Sequence, residues 1–313
     1  MQVEGNTLLT YVIFSFFTIV AFLGNVLVIY VLVTRSSYLK QPYNICILNL
    51  AIIDTITVVF LVFSRFLYLP PTPKDDIAGE VFCRTIWSAW IVFCLGYISI
   101  YTCLVLTIER WLAVVKPFFY ITIKPKHTIL ALLLVWLLGP AVNTTTLFRA
   151  KYLAAKQQCT WTTLAVGNDE LPWMDFSLQS IIPFITMVFL YSHIYYTMKR
   201  LPKISSHRGI QLKKITIVAL AASSALVVGW LPGRITFMLT KFGILDANGV
   251  INVSCVMITF LNSCVNPFLY GVYSAQFRRE YSVIFDKILP CFSSTTTAPA
   301  FTKTPNLKPR VPP

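Results

Sequence analysis

Seven long apolar segments, separated by short polar ones, recur along the chain. They cover about residues 7–34, 43–69, 85–108, 128–148, 173–199, 213–240 and 249–273. Each can cross the hydrocarbon core of a bilayer as an α-helix, which takes about 20 residues. Helices satisfy their own backbone hydrogen bonds, as a lipid environment requires. We therefore predict an all-α membrane protein, with a seven-transmembrane helix bundle and a short amphipathic eighth helix.

The composition agrees with a membrane protein, and the charges predict its orientation. Hydrophobic residues make up 56% of the chain and charged residues only 12%, against roughly 25% in a soluble domain. The formal net charge of +14 would suggest nucleic acid as the partner of a soluble protein. With the N-terminus outside, however, 18 of the 26 Lys and Arg residues lie on the inner side and six on the outer side. This asymmetry predicts an outside N-terminus, an inside C-terminus and no nucleic-acid partner, and it favours anionic lipid at the inner leaflet.

The span limits divide the chain into four predicted parts. Residues 1–6 are a short extracellular tail without the basic start of a signal peptide, so we expect the first span to stay uncleaved. Residues 7–273 are the transmembrane domain, and residues 274–290 are an amphipathic membrane-surface helix. Residues 291–313 have the Ser-, Thr- and Pro-rich composition of a disordered cytoplasmic tail.

Several spans carry polar or helix-breaking residues that are costly in lipid. Asp54 is the only carboxylate deep inside a predicted span, which makes it a functional candidate, with a hydrogen-bonded structural Asp as the alternative. Span three ends at Glu109-Arg110-Trp111, where lipid gives way to cytoplasmic water. Pro117 stops that helix because proline lacks the amide donor. Pro232 and Pro267 lie inside spans six and seven, where a proline bends the helix.

These motifs, in this order, resemble those of rhodopsin-like (class A) G-protein-coupled receptors, from about residue 25 to residue 291. They are Asn49-Leu50-Ala51-Ile52-Ile53-Asp54, Glu109-Arg110-Trp111, Gly229-Trp230-Leu231-Pro232 and Asn266-Pro267-Phe268-Leu269-Tyr270. The chain departs from the family at Trp111, Gly229 and Leu226, where Tyr, Cys and Phe are usual. The resemblance implies a plasma-membrane receptor for an extracellular ligand, not an enzyme. Its cytoplasmic partners would be a heterotrimeric G protein, arrestin and receptor kinases.

The resemblance also implies two sets of residues for signalling. A sodium ion, the only cofactor expected, would act as an allosteric ligand bound by Asp54, Ser99, Asn262, Ser263 and Asn266, whose oxygen atoms suit a hard cation. The G-protein coupling and switch residues would be Glu109, Arg110, Phe118, Tyr191, Pro232, Pro267 and Tyr270. The inner end of span six carries Lys213 and Lys214 instead of an acid, so we expect Arg110 to rest on Glu109.

Two cysteines, Cys83 and Cys159, lie on the predicted outer side, in an oxidising compartment. The resemblance implies a disulfide between them, which would tie the top of span three to the second outer loop. Cys83 lies 27 residues before Arg110, slightly more than is usual in the family, so either the helix is bulged or the bridge sits higher. The second outer loop is rich in strand formers and predicts a hairpin lid.

Three residues are candidates for covalent modification. Asn252 begins a glycosylation sequon near the outer face, and Asn143 begins another that lies close to the bilayer. Cys291 follows the amphipathic segment and would be palmitoylated, with a free cytosolic thiol as an equal alternative.

The resemblance places the ligand between the outer halves of the helices. The implied ligand-binding residues are Arg65, Trp90, Val92, Gly96, Gln179, Trp230, Arg234, Phe237 and Phe260. Trp90 and Val92 stand where amine receptors carry an acid, and Phe260 stands where a retinal protein carries lysine, so both of these classes are disfavoured. A peptide is the leading prediction, and a lipid or other small anion is the alternative. A seven-helix transporter is disfavoured because the chain has no repeated halves.

Arg234 has two interpretations, because a guanidinium inside a span is costly unless it is paired or hydrated. In the first, it makes an internal contact with Asp175 or Gln179 on the outer part of span five. In the second, Arg234, with Arg65, receives an anionic ligand group such as a carboxylate, whose two oxygens match the guanidinium fork.

Overall fold

Twelve α-helices and one β-hairpin make up the part of the chain that the computed structural model describes, residues 7–62, 72–162, 170–200, 207–246 and 249–288. The helices are α1 (Thr7–Thr34), α2 (Pro42–Leu61), α3 (Asp76–Phe82), α4 (Trp90–Val115), α5 (Pro117–Tyr120), α6 (Pro125–Val142), α7 (Thr144–Arg149), α8 (Glu170–Phe176), α9 (Ile182–Arg200), α10 (His207–Lys241), α11 (Val250–Tyr273) and α12 (Ala275–Ile288). The seven long helices α1, α2, α4, α6, α9, α10 and α11 form the predicted bundle. Six described segments are long and apolar enough to cross a membrane, at residues 15–34, 42–61, 90–115, 125–149, 173–200 and 212–240.

Proline residues set the beginnings of three helices. Pro42, Pro117 and Pro125 occupy the first turns of α2, α5 and α6. An amide hydrogen has no intrahelical acceptor in a first turn, so its loss there costs nothing. As predicted, α4 ends just before Pro117, at Val115.

Helix α4 is the central helix of the bundle. In the most apolar stretch of α4, 67% of the residues are buried, against 28% in the corresponding stretches of α1 and α6. It packs against α2, α6, α9 and α10, and its buried residues Ile100, Cys103 and Leu106 belong to the main core. Side chains that project from α4 therefore reach four other helices.

A bulge lies at the outer end of α4. Residues Cys83–Trp87 form a π-helical turn, and Ala89 has a left-handed backbone with φ 57° and ψ 25°. A π-helical turn accommodates an extra residue within a helix. The predicted Cys83–Cys159 disulfide is present, with its Cα atoms 5.4 Å apart. Of the two alternatives for the long spacing before Arg110, the bulged helix is therefore correct.

The second outer loop forms the predicted hairpin. Strand β1 (Ala150–Leu153) pairs antiparallel with β2 (Gln158–Trp161), and Tyr152 lies opposite Cys159. The buried Tyr152 packs on Gly79 of α3, where an added β-carbon would come within 2.8 Å of its ring. The disulfide and Tyr152 together hold the hairpin to the top of the bundle.

The side chain of Asn25 compensates for a proline in another helix. Pro267 has no amide hydrogen to donate to the carbonyl of Ser263, four residues earlier in α11. The Asn25 amide of α1 donates to that carbonyl at 2.9 Å. Gly24 permits the approach, since an added β-carbon would lie 2.9 Å from the Pro267 ring. Asn25 thereby joins α1 to the proline-containing part of α11.

Candidate ligand pocket and cytoplasmic switch

Side chains from three parts of the bundle meet around the guanidinium group of Arg234. Its Nη1 donates to the hydroxyl of Tyr97 on α4 at 2.7 Å, and its Nη2 donates to the side-chain oxygen of Gln179. The guanidinium carbon lies 5.5 Å from the ring centre of Tyr97 and 5.1 Å from that of Phe237. The predicted contact with Gln179 is present. Tyr97 is a partner that the sequence analysis missed, although a tyrosine hydroxyl inside a span needs a hydrogen-bond partner.

Gln179 is itself fixed in orientation. It lies in the π-helical turn Ser177–Ile181, which precedes α9 and Pro183. Its amide nitrogen donates to the carbonyl of Val142 at 2.7 Å, so its oxygen is left to accept from Arg234. Two helices and the turn before a third are thus joined through one amide side chain.

The two side chains that accept hydrogen bonds from Arg234 in this cluster, those of Tyr97 and Gln179, are uncharged. The side chain of Arg234 is only 5% exposed, and its Nε has no hydrogen-bond partner among the described residues. Asp175, the other predicted partner, accepts a hydrogen bond from Thr145 at 2.8 Å. The cluster therefore holds a buried cation with one donor to spare.

Trp230 packs directly on the backbone of Gly96. A β-carbon on Gly96 would lie 2.1 Å from the indole, so no larger residue fits without a shift. The Trp230 ring centre is also 5.8 Å from that of Tyr97, the partner of Arg234. Two predicted pocket residues are thus in contact, and a movement of the indole is coupled to the Arg234 cluster through Tyr97.

Trp90 is bonded to the end of α6 and is not part of the Arg234 cluster. Its indole N–H donates to the backbone carbonyl of Asn143 at 3.1 Å, and the Asn143 amide donates to the carbonyl of Trp90 at 3.2 Å. Asn143 is 2% exposed, so its sequon is closed to glycosylation. Trp90 is the first residue of α4 and directly follows the bulge that ends at Ala89. A contact between Trp90 and ligand stays a prediction.

Of the remaining predicted pocket residues Arg65, Val92 and Phe260, the structure describes the side-chain surroundings of Val92 alone. Val92 is buried against Leu61 and Ala89. Arg65 lies outside the described residues, and Phe260 belongs to α11 with its side chain outside the described part. Their ligand contacts stay predictions.

The predicted sodium ligands include a hydrogen-bonded group around Asp54. Its two carboxylate oxygens accept from the Ser263 hydroxyl and the Asn266 amide, each at 2.9 Å. Ser99 and Asn262 are buried as well, and the Ser99 hydroxyl has no hydrogen-bond partner among the described residues. A buried carboxylate with hydroxyl and amide oxygens is a donor set that fits a sodium ion. The described ranges hold no group of three or more His, Cys, Asp or Glu for another metal.

Arg110 rests on Glu109, as expected. Its Nε and Nη2 both donate to the Glu109 carboxylate, and both side chains are buried. The guanidinium carbon also lies 4.9 Å from the ring centre of Tyr43 on α2. The adjacent acid therefore neutralises Arg110 where the inner end of α10 offers none.

Tyr120, at the end of α5, bonds to both members of this ion pair from the loop that follows α4. Its hydroxyl donates to Glu109 and accepts from Nη2 of Arg110 at 3.1 Å. Burial, and next the Glu109 carboxylate, raise the pKa of Tyr120, so the hydroxyl keeps its proton and can donate. The sequence analysis missed Tyr120 because helical periodicity does not predict which loop residue returns to the bundle.

At the end of the bundle that we predict to face the cytoplasm, the described helices pack closely. A cavity of about 100 Å³ remains there, lined in part by Tyr43, Leu106, Tyr270 and Phe277. Tyr270 is 1% exposed, and its ring stacks on that of Phe277 with 5.5 Å between centres. Such a volume has no room for a segment of a partner protein. With Arg110 bound to Glu109, this is a closed arrangement.

The other predicted switch residues lie around this end or within the kinked helices. The hydroxyls of Tyr191 and Ser223 are 3.1 Å apart and join α9 to α10. Phe118 on α5 is 89% exposed and so is open to a partner. Pro232 and Pro267 lie inside α10 and α11.

Glu80 of α3 joins the hairpin to the top of the bundle. One carboxylate oxygen accepts from Arg84 at 2.9 and 2.6 Å, and the other accepts from the backbone amide of Tyr152 at 2.7 Å. Burial acts to raise the pKa of Glu80, but these hydrogen bonds outweigh it and lower the pKa below its ordinary value.

Helix α12 covers most of the predicted amphipathic segment and is bonded to the first inner loop. Its Glu280 accepts from the hydroxyl of Tyr38 at 3.0 Å and from Nε of Arg35 at 3.4 Å. Its place on a membrane surface stays a prediction. Asn252 lies on α11 with its side chain outside the described part, and Cys291 lies outside the described residues, so both modifications stay predictions too.

Comparison with known proteins supplies an independent assignment. The sequence profile of 7 transmembrane receptors (rhodopsin family) matches residues 24–270, which is well over half of the chain. Galanin receptor 2a of Danio rerio is 24% identical over 290 residues, 87% of this chain and 77% of the relative. C-C chemokine receptor type 8 of Macaca mulatta is 28% identical, over 91% of this chain and 81% of the relative. Somatostatin receptor type 1 of Rattus norvegicus is 28% identical, over 90% and 72%.

Proposed function

Because the chain belongs to the rhodopsin family of seven-transmembrane receptors, we propose that it binds an extracellular peptide between the outer helix halves. Binding would activate a heterotrimeric G protein at the cytoplasmic side. Three similar proteins are named as receptors for galanin, a C-C chemokine and somatostatin, which supports a peptide messenger here.

The buried charge of Arg234 is the observation that carries the proposed ligand chemistry. A buried guanidinium with a spare Nε donor and uncharged hydrogen-bond partners would suit an anionic ligand group. Charge-assisted bonds between guanidinium and carboxylate form as parallel pairs and are among the strongest hydrogen bonds in proteins. We therefore infer that the peptide carries a carboxylate, from an acidic side chain or its C-terminus, at the end that binds deepest.

The same contacts suggest how binding is passed inward. A ligand carboxylate would compete with Tyr97 and Gln179 for the guanidinium, and Tyr97 also contacts Trp230. Displacement of the indole from Gly96 would favour a rearrangement of α10 at Pro232. Ligand shifts the equilibrium because it binds the rearranged state better.

At the inner end, the rearrangement would open the small cavity and release Arg110 from Glu109. Arg110 would then point into the opened space, and Phe118 would offer an apolar contact to the G protein. Arg110→Ala should abolish nucleotide exchange while agonist binding survives. Exchange at the wild-type rate in this variant would contradict the mechanism.

The ligand class is tested by a screen for G-protein activation in cells that express the receptor. Peptides with free carboxylates are compared with the same peptides amidated or neutralised at those positions. Activation by acidic peptides and loss of activity on neutralisation would support the proposal. Activation by neutral peptides alone would reject the carboxylate contact but leave the receptor function standing.

The Arg234 contact is then tested with the agonist found. Arg234→Ala should weaken binding by about 2 kcal/mol or more, roughly 30-fold, as expected for one partner of a buried charged pair. In that variant, neutralising the ligand carboxylate should cost little further affinity. Arg234→Lys should recover only part of the loss, because lysine lacks the planar fork. Lys156→Ala, at an exposed position of the hairpin, is the control for general attraction at the outer face. Additive losses from ligand and receptor changes would identify Arg234 as structural.

A lipid or small organic acid is the second candidate, favoured by the same guanidinium. Fatty acids, lysophospholipids and dicarboxylates therefore belong in the screen. If one of them activates the receptor in an Arg234-dependent way while peptides do not, the peptide assignment is wrong and the anion assignment holds.

We also propose that the receptor resides in the plasma membrane with its N-terminus outside. The excess of Lys and Arg on the cytoplasmic side supports this orientation. An N-terminal epitope tag should be labelled by antibody on intact cells. Labelling only after permeabilisation would overturn the orientation.

A further inference from the structure

A groove opens between α9 and α10 on the lipid-facing side of the bundle. Its volume is about 490 Å³, and its walls include Ser192, Tyr195 and Tyr196 of α9 and Leu220, Ser224 and Val228 of α10. Three of these residues are more than half exposed: Tyr195 at 58%, Tyr196 at 62% and Val228 at 70%. Leu220 is 41% exposed. In a bilayer, such an opening is filled by lipid rather than water.

The side chains of each wall lie in line with a lysine at the inner end of the helix. On α9, Ser192, Tyr195 or Tyr196, and Lys199 are spaced three or four residues apart, so they share one helix face. On α10, the same spacing connects Lys213, Ile217, Leu220 and Ser224. Lys199 and Lys213 are both exposed. Lys199 and Lys213 thus lie beyond the inner end of the groove, each on the helix face that forms one of its walls.

No acidic residue offsets these cations along the two helices. The sequence from 176 to 245 contains no Asp or Glu, and it carries Lys199, Arg200, Lys213 and Lys214 at the inner ends of α9 and α10. A zwitterionic lipid or a sterol has no net charge with which to match this set. An anionic headgroup does, at about 1 kcal/mol for each basic residue near the surface.

The dimensions suit one acyl chain. Ser224 follows Lys213 by eleven residues, about 16 Å along a helix that rises 1.5 Å per residue. One leaflet contributes about half of the roughly 30 Å hydrocarbon core. A chain whose phosphate lies at Lys213 therefore reaches the level of Ser224.

We propose that this groove binds an anionic glycerophospholipid of the inner leaflet, with one acyl chain between α9 and α10 and its phosphate between Lys199 and Lys213. The proposal does not depend on the extracellular ligand. The Tyr191–Ser223 contact lies in the wall of the same groove. A lipid bound there contacts both helices at the contact that must change when α10 moves.

Photo-crosslinking in nanodiscs tests the site on the intact receptor. Phosphatidylserine with a diazirine in the middle of one acyl chain is compared with the matching phosphatidylcholine probe, each as a minor component of phosphatidylcholine discs. Mass spectrometry then locates the labelled peptides. We expect the serine lipid to label residues 187–196 and 220–228 more strongly than the choline lipid does.

Two kinds of variant separate the headgroup contact from the acyl groove. Lys199→Gln and Lys213→Gln should each reduce labelling by the serine probe about fivefold, which corresponds to about 1 kcal/mol per lysine. Ser224→Trp should block labelling by filling the groove. The matched controls are Lys126→Gln, an exposed cation at the start of α6, and Leu134→Trp, on the exposed face of α6. Neither should change labelling of α9 and α10.

Three outcomes would overturn the proposal. One is equal labelling by both probes with no effect of Lys199→Gln or Lys213→Gln, which means that any lipid fills the groove. Another is labelling of α9 and α10 no stronger than that of exposed α6. The third is preferential labelling by a sterol diazirine probe, which would identify a sterol as the occupant. The lysine variants change exposed residues and keep the test valid if Ser224→Trp does not fold.

Discussion

The indole of Trp230 lies on Gly96 with no space between them for a methyl group. A β-carbon built on Gly96 falls 2.1 and 2.3 Å from two carbons of the indole ring. The ring must therefore move if position 96 carries any side chain. Since the surrounding structure is the closed arrangement, such a change penalises that arrangement in particular.

We expect Gly96→Ala to raise nucleotide exchange in the absence of ligand, because the displaced indole destabilises the resting state. Overpacking should also cost about 1–3 kcal/mol of stability. Exchange assays in membranes and thermal unfolding of the purified receptor measure the two effects. Gly139→Ala is the matched control, since its β-carbon would meet Ile98 at 2.4 Å and does not involve Trp230. The control should lose stability without raised exchange, and equal exchange in both variants would contradict the role of the indole.

Tyr120→Phe should raise basal exchange as well, by a different route. The change removes the hydroxyl that donates to Glu109 and accepts from Arg110, which weakens their closed arrangement. Loss of a hydrogen bond to a charged group costs about 1.5–3 kcal/mol. Tyr38→Phe is the control, because the Tyr38 hydroxyl also bonds a carboxylate, that of Glu280, away from Arg110. Unchanged basal exchange in Tyr120→Phe would show that the loop does not hold Arg110.

We propose that a sodium ion at Asp54 favours the closed state and lowers agonist affinity. Sites coupled in this way change affinity by roughly 5- to 150-fold. Asp54→Asn should remove the dependence of agonist binding on sodium, and Ser99→Ala should weaken it by removing the unpartnered oxygen. Thr102→Ala, three residues farther along α4, removes a hydroxyl that already has partners and should keep the sodium response. Full sodium sensitivity in Asp54→Asn would reject the site.

The contribution of Glu80 should depend on pH. Its pKa is lower in the folded receptor than in an unfolded chain, so its stabilisation is present above about pH 4.3, the ordinary value for Glu. The stabilisation is lost as pH falls through the lowered pKa. Glu80→Gln should lower the thermal stability of the purified receptor at neutral pH by about 1 kcal/mol or less, because the pair with Arg84 is partly exposed. The difference from wild type should shrink below pH 4. Asp286→Asn, which changes an exposed carboxylate of α12, is the matched control variant.

The sequence was sufficient for features that depend on local chemistry. Uncharged length predicted the long helices, and Pro117 predicted the end of α4. Strand formers predicted the hairpin, and the buried Asp54 marked a site whose predicted neighbours Ser263 and Asn266 do bind it. The long helices, the end of α4 and the hairpin follow from residue type and spacing alone, whereas the neighbours of Asp54 were implied by the resemblance to the receptor family.

Features that depend on distant contacts were beyond the sequence. The spacing from Cys83 to Arg110 predicted a bulge or a higher bridge, but only the folded backbone, with its π-helical turn Cys83–Trp87 and the left-handed Ala89, distinguishes them. The role of Gly96 follows from the position of α10, which no local pattern contains. The contact of Tyr97 with Arg234 likewise joins residues 137 positions apart.

The hydrogen bond from Asn25 to the carbonyl of Ser263 makes the effect of one mutation depend on another in a distant part of the chain. While Pro267 is present, loss of the Asn25 amide leaves that carbonyl unpaired inside the bundle. With alanine at position 267 the backbone of α11 can supply its own donor, and Asn25 becomes dispensable. Substitutions at the two positions are therefore expected to be epistatic, so that an evolving lineage tolerates the loss of Asn25 only after the proline has gone.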